Sequence, residues 1–494
     1  MANGAVVAQA EMKNEDGFGT KNYRTYVLLV LMTVYTVNFI DRTLIAVVAQ
    51  PIIESFDLSD TQWGLLYGPP FALFYAVMGL PIAMWADRSN RIRIMTVCII
   101  LWSIMTALCG VAAGFLMLLF FRIGVAIGEA GCTPPANSII GDYFQPKSRA
   151  TALGIYSMGV TLGGVLANLF GGPIASMTGV EFGNWLSSIG LGWFFSGIDW
   201  THIEGWRIAF VVVGLPGVLI ALLVYLTVRE PPRGFSDPEP KVKEEAANLR
   251  DTLTELAGKP TFLWMTIGAS FVAFVGYGLT SFQAPFLQRE HGIDVREAAV
   301  NYGAPLAAMS ALGTFLGGWL TEKMTPYSKT AVAWIPAVGL LIAVPFYIAA
   351  FYASNLTLVF IFWAIAATTH YAYLGAQYNI GQSVVSNRSR ATAIAILLIM
   401  VSIIGNGVGP YFVGFFSDLF MNMQLPADSG LSVKVCTGDD TLTGEQMALC
   451  EMASSTGLKQ AISLTVCWFI FAAGCFLMSA KTLERDFVAK LETA

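Results

Sequence analysis

Long apolar runs alternate with short polar breaks along this chain, and the runs have the length of bilayer crossings. A hydrocarbon core of about 30 Å takes about 20 consecutive apolar residues in helical form. Such runs fall at 25–49, 62–86, 92–113, 115–144, 150–175 and 207–228, and again at 261–288, 299–322, 331–352, 355–384, 390–420 and 461–480. Twelve transmembrane helices are predicted, six on each side of the polar stretch "REPPRGFSDPEPKVKEEAANLRDTLTEL". The expected organisation is a cytoplasmic tail (1–24), a six-helix half (25–228), a cytoplasmic linker (229–260), a second six-helix half (261–480) and a cytoplasmic tail (481–494). Within the linker, 242–256 has the pattern of a surface amphipathic helix.

Composition agrees with this pattern. Charged residues are 12% of the chain and hydrophobic ones 55%, with a mean hydropathy of +0.62; soluble domains carry roughly 25% charged residues. A net charge of −5, with no segment mixing basic and aromatic residues, argues against nucleic-acid binding. Lys and Arg gather in alternate breaks: Arg88, Arg91 and Arg93, then Lys147 and Arg149, the linker, Lys323 and Lys329, Arg388 and Arg390, and the C-terminal tail. The breaks at 50–61 and 176–205 contain none. By the positive-inside rule both termini face the cytoplasm. The first 22 residues are too polar for a signal peptide. Cys436 and Cys450 then share an outer loop, where a disulfide is permitted and a reduced pair is the alternative. The outer segment "WLSSIGLGWFFSGIDW" (185–200) reads as an interfacial aromatic belt.

The two halves repeat one another. "SRATA" occurs at 148–152 and again at 389–393, each at the cytoplasmic start of an odd-numbered span. "GLPIAMWADR" (79–88) is answered by "GTFLGGWLTEK" (313–323), both ending in an acid followed by a base. "GVTLGGVLANLFGGP" (159–173) is answered by "GNGVGPYFVG" (405–414). Three matches in one order make chance a poor account.

Two parallel six-helix halves with a central linker resemble the major facilitator architecture. "ADRSNRIR" stands where that superfamily has G-x-x-x-D-R-x-G-R-R, with Ala83 and Asn90 in place of the two glycines. "RIGVAIGEAG" (122–131) matches the fourth-helix pattern, and the glycine–proline run of the fifth span matches the antiporter-type signature. "NFIDR", "DRSNR", "GEA" and "EPPRG" together resemble the spinster family, in particular bacterial spinster-like lipid transporters. The resemblance implies an all-α membrane protein of the major facilitator fold, with two pseudo-symmetric halves working by alternating access. It also implies the bacterial inner membrane as location, a monomer, an amphipathic anionic lipid cargo (lysophospholipid or sphingosine-phosphate-like), and protons as the coupling ion. A proton symporter of small organic anions is the alternative, since such families share the N-x-x-D-R and G-E-A elements.

Four charges lie deep in predicted spans. Placing an ionised group at mid-bilayer costs about 2.5–3.5 kcal/mol, so such residues face a bundle interior or water. At about 1.5 Å per residue, Asp41 and Arg42 lie roughly 23–25 Å from the cytoplasmic end of the first span, and Arg122 lies at nearly the same depth in the fourth. Glu129, seven residues on, shares a stripe with Arg122. One cluster is expected, with Arg42 and Arg122 binding substrate and Asp41 and Glu129 exchanging protons; Asp41 is expected to pair with Arg122 when ionised. Buried ion pairs that only fix helix register are the alternative. The offset of 241 residues between Ser148 and Ser389 maps Glu129 onto His370, a third proton-site candidate, for which a hydrogen bond to a neighbouring helix is the favoured alternative. Tyr277, Gln283 and Tyr371 are expected to offer polar points on the wall of the second half.

At the cytoplasmic face, Asp87, Arg88 and Arg93 are expected to pair with Asp142 and Arg149 as a gate, with Glu322 and Lys323 as the counterpart; a solvated positive-inside loop is the alternative. Gly159, Gly163 and Gly172 allow close helix contact, and Pro173 bends the fifth span. No H-E-x-x-H, G-x-S-x-G or G-x-x-x-x-G-K-[ST] string is present, so no catalytic residues, metal or cofactor are expected.

Overall fold

The computed structural model describes residues 17–236, 249–386, 388–438 and 441–487, leaving aside the side chains of Asp87 and Ala391. The described residues are helical throughout, with no strands. Eleven helices are long and apolar enough to cross a membrane. The eighth predicted crossing is the helix Ala304–Met324 together with the wide-turned stretch Ala298–Gly303, and it is not among the eleven.

The internal repeat shows in the irregularities of the helices. The fourth span breaks between Phe115–Ala130 and Thr133–Tyr143, where Pro134 and Pro135 open the second piece. The tenth breaks at the equivalent point, between Leu356–His370 and Tyr373–Ser383. The fifth and eleventh each carry a π-helical stretch, Ala167–Gly171 and Ser402–Val408. Such stretches are rare and gather at functional sites. Glu129 and His370 therefore each sit at the end of a half-helix.

The chain packs as two compact units, one within residues 1–45 and 74–243, the other within 46–73 and 244–494. Residues 46–73, which the sequence counts with the first half, thus fold with the second unit.

In the first unit the fifth span lies tight against the first. A methyl group added at Gly159 would stand 3.0 Å from the Met32 carbonyl oxygen, and one at Gly163 would stand 2.6 Å from the Thr36 carbonyl oxygen. Tyr156 stacks on Tyr35 with ring centroids 4.4 Å apart. Gly172 is buried, and Pro173 starts the last turn, Gly172–Ala175. Overpacking a filled interface costs typically about 1–3 kcal/mol. Gly163→Val is therefore expected to lower the melting temperature of the detergent-purified protein clearly, while Gly154→Ala, whose added carbon meets open space, leaves it unchanged.

The linker helix begins, within the described residues, at Leu249 and ends at Ala257; residues 242–248 of the expected amphipathic helix lie outside them. Thr252 and Leu256 are buried. Glu255 accepts hydrogen bonds from the Ser386 amide (2.7 Å), the Ser386 hydroxyl (2.9 Å) and the Ser389 hydroxyl (2.6 Å), which ties the helix to the second SRATA turn. Burial alone would raise the Glu255 carboxyl, but these bonds and the charge of Lys259 hold it below its usual range. A depressed folded value means that the contribution is complete above the unfolded value and is lost only as pH falls through the folded one. Docking of 249–257, read by hydrogen–deuterium exchange, is expected to be unchanged between about pH 8 and pH 5 and weakened at every pH by Glu255→Gln.

In the first unit, the helix Gly179–Ser188 packs Phe182 and Leu186 on Ile208 and leaves Trp193 and Phe194 of the following turns exposed. Cys436 and Cys450 form a disulfide, joining the short helix Val433–Gly438 to the 43-residue helix Gly444–Asp486. Met421, Leu425, Val433 and Ala453 make the small core beneath it.

Candidate functional site

The first span presents Asn38, Asp41 and Arg42 at i, i+3 and i+4, hence on neighbouring parts of one face. Arg42 makes an ion pair with Glu129 of the fourth span. Its guanidinium also lies 4.5 Å above the Tyr75 ring and 5.2 Å from that of Phe39. Asp41 points elsewhere and accepts a hydrogen bond from the Thr106 hydroxyl at 3.3 Å. The charge of Arg122 acts on both Asp41 and Glu129. The four charges expected to meet do so inside one unit. Arg42 differs from expectation in that its partner within the protein is Glu129.

Asp41, Glu129, Arg122 and Asn38 are buried, while the Arg42 side chain keeps 21% of its surface. Among the described residues, Asp41 Oδ1 has no hydrogen-bond partner, and the Asn38 amide stands beside the Glu129 carboxylate without a well-formed bond to it. Leaving a buried polar atom unpaired costs about 1–3 kcal/mol, so a cluster of them marks a place for a further hydrogen-bonding group. A carboxylate with one oxygen on an arginine and the other open can take a proton there. Once neutral, it releases the arginine.

The second unit places its candidates among aromatic rings. His370 is buried, with Nδ1 at 3.2 Å from the Tyr347 hydroxyl, and its ring lies 4.6 Å from Phe469 and 4.5 Å from Tyr371. Tyr371 neighbours Tyr277, which is exposed, and Gln283 is half-buried.

The pairing expected at the gate differs in the structure. Asp142 is held by Arg91, not by Arg88 or Arg93. Arg91 also pairs with Glu230 (2.6 Å) and donates to the Ser138 hydroxyl (2.8 Å) and the Pro231 carbonyl (2.8 Å). The second Asp142 oxygen accepts from the Gly234 amide at 2.7 Å. The cause is local. Arg88 ends the helix Pro69–Arg88 on its exposed side, and Asn90 caps the next helix by accepting from the Arg93 amide. That start turns Arg91 inward and Arg93 outward. Arg149 donates to the carbonyls of Gly141 (2.6 Å) and Phe144 (3.4 Å). The Asp87 side chain lies outside the described residues. Glu322 and Lys323 are exposed, Lys323 lying 5.0 Å over the Trp319 ring.

A second charge cluster, not singled out in the sequence, lies in the second unit. Arg289 grips the Asp60 carboxylate with two bonds, 2.8 and 2.9 Å. Its Nε donates to Gln50 at 2.8 Å, and a terminal nitrogen donates to Ser454 at 3.1 Å. Asp418 accepts from the amides of Asp60 (3.1 Å) and Thr61 (2.9 Å), while the Ser417 hydroxyl donates to Asp60 at 2.6 Å. One signal was available: Arg289 is a base at the end of a span on the side otherwise poor in Lys and Arg.

Comparison with known proteins agrees with this architecture. The Major Facilitator Superfamily profile matches residues 31–410. An MFS-type efflux pump of Mycolicibacterium smegmatis is 32% identical over 389 residues, covering 79% of this chain and 83% of that one. Protein spinster of Drosophila melanogaster is 27% identical over 425 residues, covering 83% and 65% respectively. The crystal structure of a bacterial homolog to the human lysosomal transporter Spinster, inward-facing and unoccupied, superposes with a TM-score of 0.88 at 58% identity, covering 95% of this chain and 99% of that one. With its paired helix breaks, all-helical spans and intramembrane charges, this chain belongs to the Major Facilitator Superfamily and is a multi-pass membrane transporter of the spinster type, not an enzyme.

Proposed function

We propose that this transporter couples protons to the movement of an amphipathic anionic lipid, of the lysophospholipid or sphingosine-phosphate class, by alternating access. The observation that carries the reading is the Arg42–Glu129 pair, a buried carboxylate joined to an arginine that keeps part of its surface. Protonation of Glu129 frees the guanidinium, and a phosphate takes its place through charge-assisted hydrogen bonds. Loss of the proton restores the internal pair and expels the anion. Asp41 is the second acid, and Arg122 the charge that holds both acids in place. Tyr277, Gln283 and Tyr371 are proposed to meet the apolar remainder of the cargo. The aromatic surroundings of His370 favour packing over proton transfer.

We place the protein in the bacterial inner membrane as a monomer with both termini in the cytoplasm. The disulfide supports an outer, oxidising location for 425–450, and the distribution of Lys and Arg agrees with it.

The test is reconstitution into liposomes with labelled lysolipid, with and without an imposed pH gradient. Gradient-driven movement supports the reading. Movement indifferent to the gradient sinks the coupling, and movement of a small organic anion but no lipid replaces the cargo class.

A further inference from the structure

We infer that the second unit carries a binding site for an organic cation, a guanidinium or ammonium group on a short apolar stem, centred on Glu322. The inference depends neither on the cargo nor on the coupling acids. It starts from a cleft of about 490 Å³ between the last turns of the helix Ala304–Met324 and the half-helix Tyr373–Ser383. That volume lies within the range of small-ligand pockets. Thr321, Glu322 and Asn379 line it beside Val332, Ala376 and Pro326.

The internal repeat shows what the matching place in the first unit holds. Aligning the acid–base ends of the second and eighth spans sets Ala86, Asp87 and Arg91 against Thr321, Glu322 and Pro326. The SRATA offset sets Ser138 against Asn379. In the first unit this place is taken by two arginines. Arg233 donates to the carbonyls of Ala86 (2.7 Å) and Ser89 (2.9 Å), and Arg91 donates to the Ser138 hydroxyl at 2.8 Å. Arg233 comes from the chain just beyond the sixth span. In the second unit a proline stands in the place of Arg91, and among the described residues no base lines the cleft.

The acceptors of the second unit suit a full positive charge. The Thr321 carbonyl, counterpart of that of Ala86, already accepts from the Thr325 amide (2.9 Å) and hydroxyl (2.7 Å). What is left for a cation is the Glu322 carboxylate, which has no ion-pair partner among the described residues. The neighbouring Lys323 lies over the Trp319 ring. The Asn379 side-chain oxygen accepts one long bond, from Ser383 at 3.4 Å, and has a second lone pair to offer. A guanidinium meets a carboxylate with two parallel charge-assisted bonds, and its stem then lies on Val332, Ala376 and Pro326. Glycines keep the cleft deep: a carbon added to Gly318 meets open space, and one added to Gly375 stands 4.0 Å from the Gly318 Cα. The cation has two sources, a free small molecule or a basic side chain. This chain has such a side chain in Lys490, which follows the twelfth span in sequence as Arg233 follows the sixth, and lies outside the described residues.

The test adds agmatine, an alkyl guanidinium, to full-length protein in phosphatidylcholine nanodiscs, with binding read by saturation-transfer NMR. Wild type is expected to bind it saturably, with a Kd of about 1 mM or tighter. Glu322→Gln, which removes the charge, and Gly318→Leu, which fills the cleft, are each expected to weaken binding about tenfold or more. Asp41→Asn/Glu129→Gln is expected to bind as wild type does, and butylurea, of similar shape without the charge, is expected not to bind. A chain ending at Phe487, and so lacking Lys490, separates the sources. Binding tighter by about fivefold or more in that chain assigns the site to the protein's own lysine, and unchanged binding assigns it to a free cation. Absence of saturable binding in both lengths of chain overturns the inference. So does wild-type affinity in a monodisperse Glu322→Gln protein, or loss of binding in Asp41→Asn/Glu129→Gln.

Discussion

Replacing Glu129 with glutamine is expected to lower gradient-driven accumulation of the cargo at least tenfold while leaving cargo binding intact. Replacing Arg42 with alanine is expected to lower both. The two side chains form one buried pair, so each change leaves the other residue in a different state. In Glu129→Gln the shape of the site is kept, Arg42 is permanently released, and anion binding holds or tightens because its internal competitor is gone. No proton is then gained or lost there during a cycle, and the gradient has nothing to act on. In Arg42→Ala the Glu129 carboxylate is buried without its main counter-charge, a state that costs about 3–5 kcal/mol if the charge persists. It takes a proton instead, and the anion loses its anchor. Binding assays on purified protein, set beside uptake into proteoliposomes under a pH gradient, separate these outcomes. Wild-type accumulation by Glu129→Gln would remove Glu129 from the coupling path and leave Asp41 as the remaining acid of the cluster.

The second large effect concerns stability. Arg91→Ala is expected to destabilise the first unit by about 3–5 kcal/mol, because Asp142 and Glu230 both lose the buried guanidinium that neutralises them and keep only backbone-amide bonds. For a body of this size that corresponds to a fall in melting temperature on the order of 10 °C. Arg88→Ala and Arg93→Ala, both at exposed positions, are expected to stay within about 0.5 kcal/mol of wild type. A thermal denaturation series in one detergent, with the three variants side by side, checks the contrast. Equal losses at all three positions would mean that the positive charge of the turn matters, and not the buried network.

What was legible in the sequence followed from period and depth. The spans are long apolar runs, and the two SRATA strings set an offset that the paired breaks at Ala130 and His370 follow within a residue. Asp41, Arg42, Arg122 and Glu129 stood out because an ionised residue inside an apolar run is costly, and depth along a straight helix is simple to reckon. Which of them pair was less legible. Helix rotation and tilt decide whether Arg42 or Arg122 reaches Glu129, and neither is written in one helix alone. The Arg91–Asp142 pair was hidden because a two-residue turn sets which of three arginines faces inward, and Asn90 makes that choice by capping the helix. The Asp60–Arg289 cluster was hidden for another reason. Its members are more than two hundred residues apart and lie near span ends, where a charge costs little and so draws no attention.

The length of the last helix has a practical consequence. Gly444–Asp486 extends about 65 Å, roughly twice the thickness of a ~30 Å hydrocarbon core. Its first turns carry the disulfide-linked lobe and run unbroken into the crossing itself. An antibody fragment raised against that lobe would ride on a stiff mast rooted in the second unit, and would mark that unit's orientation in electron-microscope images.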